Sequence, residues 1–153
     1  MQKPVIYIAA LLFVLVACGK DKFNTKPSIT IKSITPTTVP IGGQLQITFE
    51  YTDKEGDISD SIFLKKTRIN QFVVPVSPID TFGFALPDFP GKSKGEIQLT
   101  LSYFLHLTSA LNPPTSGSPP VPEPDTLVFR FALRDEGGNI SDTVQTDPIV
   151  IIR

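Results

Sequence analysis

The sequence predicts an all-β fold: a single antiparallel two-sheet sandwich of about seven strands, after an N-terminal signal helix. Three observations carry this. Apolar and polar residues alternate at a period of two along several short runs. Clusters of Pro, Gly, Asn and Asp separate the runs. No segment sustains the 3.6-residue period of a helix. The chain of 153 residues is one domain in length, and 41% apolar with 19% charged residues is enough to build a core.

Lys3 opens the chain, and residues 5–17 (VIYIAALLFVLVA) follow without a charge. As a helix those thirteen residues reach about 20 Å, short of the roughly 30 Å hydrocarbon layer. The segment therefore reads as a secretory signal peptide spanning residues 1–17. Residues 19–27 (GKDKFNTKP) are polar and without period, and predict a flexible tether after Cys18. The domain is expected over residues 28–153.

The clearest strand covers residues 44–51, with Leu45, Ile47, Phe49 and Tyr51 on one face. Residues 96–106 repeat the pattern. Ile97, Leu99, Leu101, Tyr103 and Leu105 point inward, and His106 falls on the outer face. Residues 126–134 do so again through Leu127, Phe129, Phe131 and Leu133. Weaker strands are expected at 28–34, 58–66, 71–76 and 143–152. In the first of these, Ile29 and Ile31 share a parity that Ile34 breaks, which predicts a bulge or a kink. Residues 112–125 (NPPTSGSPPVPEPD) hold six prolines, which favour polyproline II and forbid a central strand. This stretch reads as a stiff connection or a recognition loop.

Composition narrows the function. Fourteen basic residues against 15 acidic ones give a net charge of -1, which argues against nucleic acid as a partner. One Cys excludes a disulfide framework and a Cys-rich zinc site, and one His disfavours most acid–base chemistry. No nucleophile elbow, phosphate-cradling loop or zinc-binding helix motif occurs. The basic run Lys65-Lys66-Thr67-Arg68 reads as a solvated strand end, with contact to anionic head groups or glycan as the alternative. A catalytic function is not expected, and calcium is the one cofactor to consider.

That consideration rests on Asp53, Glu55 and Asp57, which alternate around Gly56 as the oxygens of calcium loops do. A second acidic turn carries Asp135, Glu136, Asn139 and Asp142. The distal Glu of an EF-hand is lacking. Asp, Asn and Gly also populate turns for conformational reasons alone, so a solvated turn is the competing reading.

Leu15-Val16-Ala17-Cys18-Gly19 resembles the lipobox of bacterial lipoproteins. The resemblance implies a diacylglyceryl group on the Cys18 thiol, cleavage before Cys18 and acylation of the new amine. Two or three acyl chains anchor stably where one is marginal. Gly19, where an Asp would retain an enterobacterial lipoprotein in the inner membrane, implies the outer membrane. The periplasmic or surface face stays open.

Residues 47–58 (ITFEYTDKEGDI) and 133–142 (LRDEGGNISD) resemble the strand–turn–strand signatures of immunoglobulin-like domains in Bacteroidetes lipoproteins. The chain lacks the Trp and Cys pair of antibody domains, so a fibronectin-type or PKD-like sandwich fits equally. The resemblance implies that both acidic turns share one pole and that the Pro-rich stretch lies at the other. Asp60-Ser61-Ile62, Asp125-Thr126-Leu127 and Asp142-Thr143-Val144 resemble Bacteroidetes O-glycan acceptor sequences, with Ser61, Thr126 and Thr143 as acceptors. The expected function is a lipid-anchored envelope module that binds or scaffolds, with the membrane and an envelope protein or glycan as partners. The alternatives are a structural spacer or coat lipoprotein without a dedicated ligand, and an unrecognised hydrolase.

Overall fold

Residues 44–52 alternate exposed and buried side chains along their whole length, and the fold is built around that strand. A computed structural model describes residues 26–74 and 79–153 of the chain. The signal segment, Cys18 and the tether through residue 25 lie outside the described residues. The strands are β1 (Ser28–Thr35), β2 (Thr38–Val39), β3 (Gln44–Thr52), β4 (Ser61–Arg68), β5 (Thr81–Ala85), β6 (Lys94–Ser102), β7 (Thr115–Ser116), β8 (Val121–Pro122), β9 (Asp125–Arg134), β10 (Val144–Gln145) and β11 (Ile149–Ile151).

One sheet has the order β1-β3-β6 and the other β2-β11-β9-β4-β5, with β10 also on β9. The protein is thus an all-β sandwich. Among the described residues all pairings are antiparallel except β2 with β11, which is parallel. The core lies between the sheets. Leu45, Ile47, Phe49 and Tyr51 meet Leu127, Phe129, Phe131 and Leu133 there, all buried. Phe49 and Phe131 touch edge to face, their ring centres 4.8 Å apart, an arrangement favoured by the ring quadrupoles.

Of the bulge or kink expected in β1, the register shows a bulge. Ile31 pairs with Phe49 and Ser33 with Thr48, so Lys32 is the extra residue and Ile34 regains the core parity opposite Ile47. Lys32 reaches across the sheet to Glu50 at 3.3 Å and also pairs with Glu96.

Three strand expectations are corrected. Residues 71–74 form no strand, and residues 75–76 lie outside the described residues. The edge strand is instead β5, which places Phe82 and Phe84 on one face. The strand expected over 96–106 ends at Ser102, and Tyr103–Leu107 forms a π-helical turn. The wider turn breaks the period of two, so Tyr103 and Leu107 point inward while Leu105 is 71% exposed. The strand expected over 143–152 is interrupted between β10 and β11. There the Thr146 hydroxyl accepts the Phe129 amide at 3.1 Å.

The basic run is not a solvated strand end. Lys66 is buried and donates to the carbonyls of His106 (2.9 Å) and Thr108 (2.6 Å). The Arg68 side chain is 4% exposed and pairs with Asp125 and Glu123. Both share the core-facing parity of Ile62 and Leu64, and each has partners that offset the cost of burial.

Candidate cation site at the acidic pole

Strand register defines the two ends of the sandwich. Thr52 pairs with Ser28 and Lys94, and Ser61 pairs with Arg134. The turns that leave β3 and β9, residues 53–57 and 135–139, therefore share one pole. At the other pole Gln44 pairs with Ser102 and Asp125 with Ile151. The Pro-rich stretch reaches β9 at that distal end. It forms a small hairpin of its own, with Thr115 opposite Pro122 and Ser116 opposite Val121.

The first acidic turn is shaped by Asp53. Its Oδ2 accepts the amides of Gly56 (2.7 Å) and Asp57 (3.1 Å), while its own amide donates to the Ser93 carbonyl (2.9 Å). Gly56 takes φ +71°, the left-handed region that glycine enters without strain. A Cβ there would lie 3.0 Å from the backbone of Gly91 and Lys92, so the turn also requires the close approach.

The second turn is shaped by Asp135, which is buried. Its Oδ1 accepts the Asn139 amide (2.7 Å) and its Oδ2 the Asn139 side-chain amide (2.9 Å). The Glu136 amide then donates to the Asp57 carbonyl at 2.8 Å and joins the two turns.

One carboxylate oxygen from each of Asp53, Glu55 and Asp57 lies within 4.8 Å of the others. Asp53 is 3% exposed, and its Oδ1 is buried without a hydrogen-bond donor. The Oδ1 of Asp57 is in the same condition. Burial, then a side-chain hydrogen bond with Asp53 and its charge, then the charge of Asp135 push the Asp57 carboxyl above its ordinary value. Beside Asp53 lies a shallow depression of about 470 Å³ lined also by Lys26, Thr52, Lys54, Ser93 and Lys94.

The seven polar residues expected at this pole do not form one ligand set. Asp53, Glu55 and Asp57 converge. Asp135 is a neighbour whose two oxygens already hold Asn139, and Asn139's side-chain amide is engaged in return. Glu136 contributes a backbone link and is exposed. Asp142 pairs with Lys26 at 2.5 Å.

The acceptor residues for glycans are scattered. The Ser61 hydroxyl donates to Asp60 at 2.8 Å, Thr126 is half-buried on β9, and Thr143 is exposed. His106 is half-buried rather than on an outer strand face. Its ring lies against Phe82 and Phe84, and its Nδ1 accepts the Ser102 amide at 3.0 Å. The Ser102 hydroxyl stands 3.3 Å from the same nitrogen, so this pair closes the π-helical turn.

No family model matches the chain, and no curated protein matches it. Among solved structures, the chain is similar to Spo0M, a sporulation control protein from Bacillus subtilis. The identity is 16% and the TM-score 0.38, over 84% of this chain and 50% of that one. The chain therefore spans about half the length of that structure.

Proposed function

We propose that the protein is a lipid-anchored, non-catalytic binding or scaffolding module of a bacterial envelope, held by acyl chains on Cys18. The observation that supports this reading is where the chain enters the sandwich. Ser28 pairs with Thr52 beside the acidic turns, and Lys26 is bound to Asp142 at the same pole. Nine residues, 19–27, separate Cys18 from Ser28, a reach of about 35 Å over ten Cα–Cα steps when fully extended. Anchoring at Cys18 would keep the acidic pole beside the bilayer. The distal pole, with its Pro-rich hairpin and exposed Phe104, Leu105, Leu111 and Val121, would then face away. An immunoglobulin-type sandwich suits this role, since its loops project at both ends of a rigid body.

Metabolic labelling with palmitate tests the anchor. The wild-type chain should take up label and fractionate with the outer membrane. Cys18→Ala should take up none and accumulate with residues 1–17 attached. A wild-type chain without label overturns the reading. Protease treatment of intact and permeabilised cells then reports the face. Cross-linking through the distal hairpin separates a binding module, which gives a stoichiometric partner, from a spacer, which gives none.

A further inference from the structure

We propose that Asp53, Glu55 and Asp57 bind one calcium ion at the pole where the chain enters the sandwich. Calcium–oxygen distances of about 2.4 Å require the ligands of one ion to lie within about 4.8 Å of one another, and one oxygen from each of these three residues meets that requirement. A cluster of acids on a turn is not by itself a site, because turns collect acids for conformational reasons. Here the second observation is burial without a partner. Asp53 is 3% exposed, and its Oδ1 and that of Asp57 are buried with no donor. Native proteins rarely leave a buried side-chain oxygen without a partner, and each one that is left calls for an explanation such as a bound ion.

The turn holds the carboxylates in place before any ion arrives. Asp53 is fixed through Oδ2 by the Gly56 and Asp57 amides, which leaves Oδ1 without a donor. Asp57 is fixed through its carbonyl by the Glu136 amide. Glu55 is exposed, so water can complete the six to eight oxygens that calcium takes. Asp135 lends its charge without lending an oxygen, since both of its oxygens hold Asn139. The site belongs to the folded sandwich whether or not Cys18 carries acyl chains, so this proposal and the anchoring proposal fail separately.

The test is calcium binding by the full chain in detergent, freed of metal by chelator and titrated with calcium chloride. One ion should bind per chain, with a Kd of about 10⁻⁴–10⁻³ M, as in extracellular modules. Saturating calcium should raise the Tm, and magnesium at the same concentration should not. Asp57→Asn and the exposed Glu55→Gln should each weaken binding about tenfold, one lost carboxylate each. Asp57→Asn should melt no lower than the wild type in chelator, which shows that it folds. No saturable uptake up to about 10 mM calcium overturns the proposal. So does uptake unchanged in both variants, or an equal response to magnesium.

Discussion

The Glu136 amide and the Asp57 carbonyl meet at 2.8 Å, and this one bond fastens the turn after β3 to the turn after β9. The two strands belong to opposite sheets, so the bond closes one end of the sandwich. It also makes the geometry of the acidic turn depend on a residue far along the chain. Turn and sheet packing are therefore coupled at this pole, and a change in either should be felt in both.

Gly56→Ala tests that coupling. Its φ of +71° disfavours any side chain by about 1–2 kcal/mol, and the new Cβ would crowd Gly91 and Lys92 at 3.0 Å. The variant should lose about 2 kcal/mol or more, read as a fall in Tm of roughly 5–10 °C. The loss should be accompanied by weaker calcium uptake, because Asp53 would no longer hold both amides of the turn. An unchanged Tm would show that the loop at residues 91–92 yields freely.

Asp125→Asn should be the most damaging single change at the distal pole. The Asp125 carboxylate is fully buried and accepts from Arg68 Nε (3.1 Å), Arg153 (2.9 Å) and the Ser109 amide (3.1 Å). Removing the anion leaves two guanidinium groups facing each other in a desolvated site. Breaking a buried pair from one side costs about 3–5 kcal/mol. Denaturant melts of the variant should show that loss, while Arg130→Ala on the exposed face should change stability by under about 0.5 kcal/mol.

Period and punctuation made the central strands legible. β3 and β9 match the sequence expectation to within about one residue, because each alternates cleanly and ends in an acidic turn. The bulge at Lys32 was legible because Ile34 breaks parity with Ile29 and Ile31. β5 was not, although Phe82 and Phe84 alternate, because Gly83 and nearby prolines weaken a five-residue run. The buried Lys66 and Arg68 were hidden by their charge, yet they continue the parity of Ile62 and Leu64. Their partners lie some 40 to 57 residues away, and no local pattern encodes that. At the acidic pole the 53–57 spacing was legible as a turn. That Asp135 would hold Asn139 rather than join the cluster depends on side-chain geometry beyond the reach of spacing.

Acidification should weaken the fold through His106. Burial, and then the charge of Lys66, hold its imidazole below the ordinary value of 6.5. A depressed folded value means the unfolded chain binds the proton more readily. Stability from this group is complete above about pH 6.5 and falls as the pH drops through the folded value. His106→Phe, which can keep the packing on Phe82 and Phe84, should flatten the decline in Tm between about pH 7 and pH 5. Asp57 acts in the opposite sense, since its raised value favours the protonated folded form, but it is common to both chains and cancels in the comparison. Parallel pH profiles for the two proteins would remove His106 from the account.

Lys66→Met separates hydrogen bonding from packing beneath the same turn. The Lys66 ammonium lies 5.3 Å from the centre of the Phe82 ring and donates to the carbonyls of His106 and Thr108. Methionine keeps most of the apolar stem but leaves both carbonyls without that donor. A buried acceptor stripped of its partner costs about 1–3 kcal/mol, and relief from burying a charge offsets part of it. The net expectation is a loss of about 1–3 kcal/mol in denaturant melts. The loss should be local as well as global. Amide exchange should quicken at Thr108, whose amide closes the π-helical turn on the Tyr103 carbonyl at 3.3 Å, before it quickens in β3. A Lys66→Met protein more stable than the wild type would mean that the lysine is held there against its desolvation cost for some purpose other than stability.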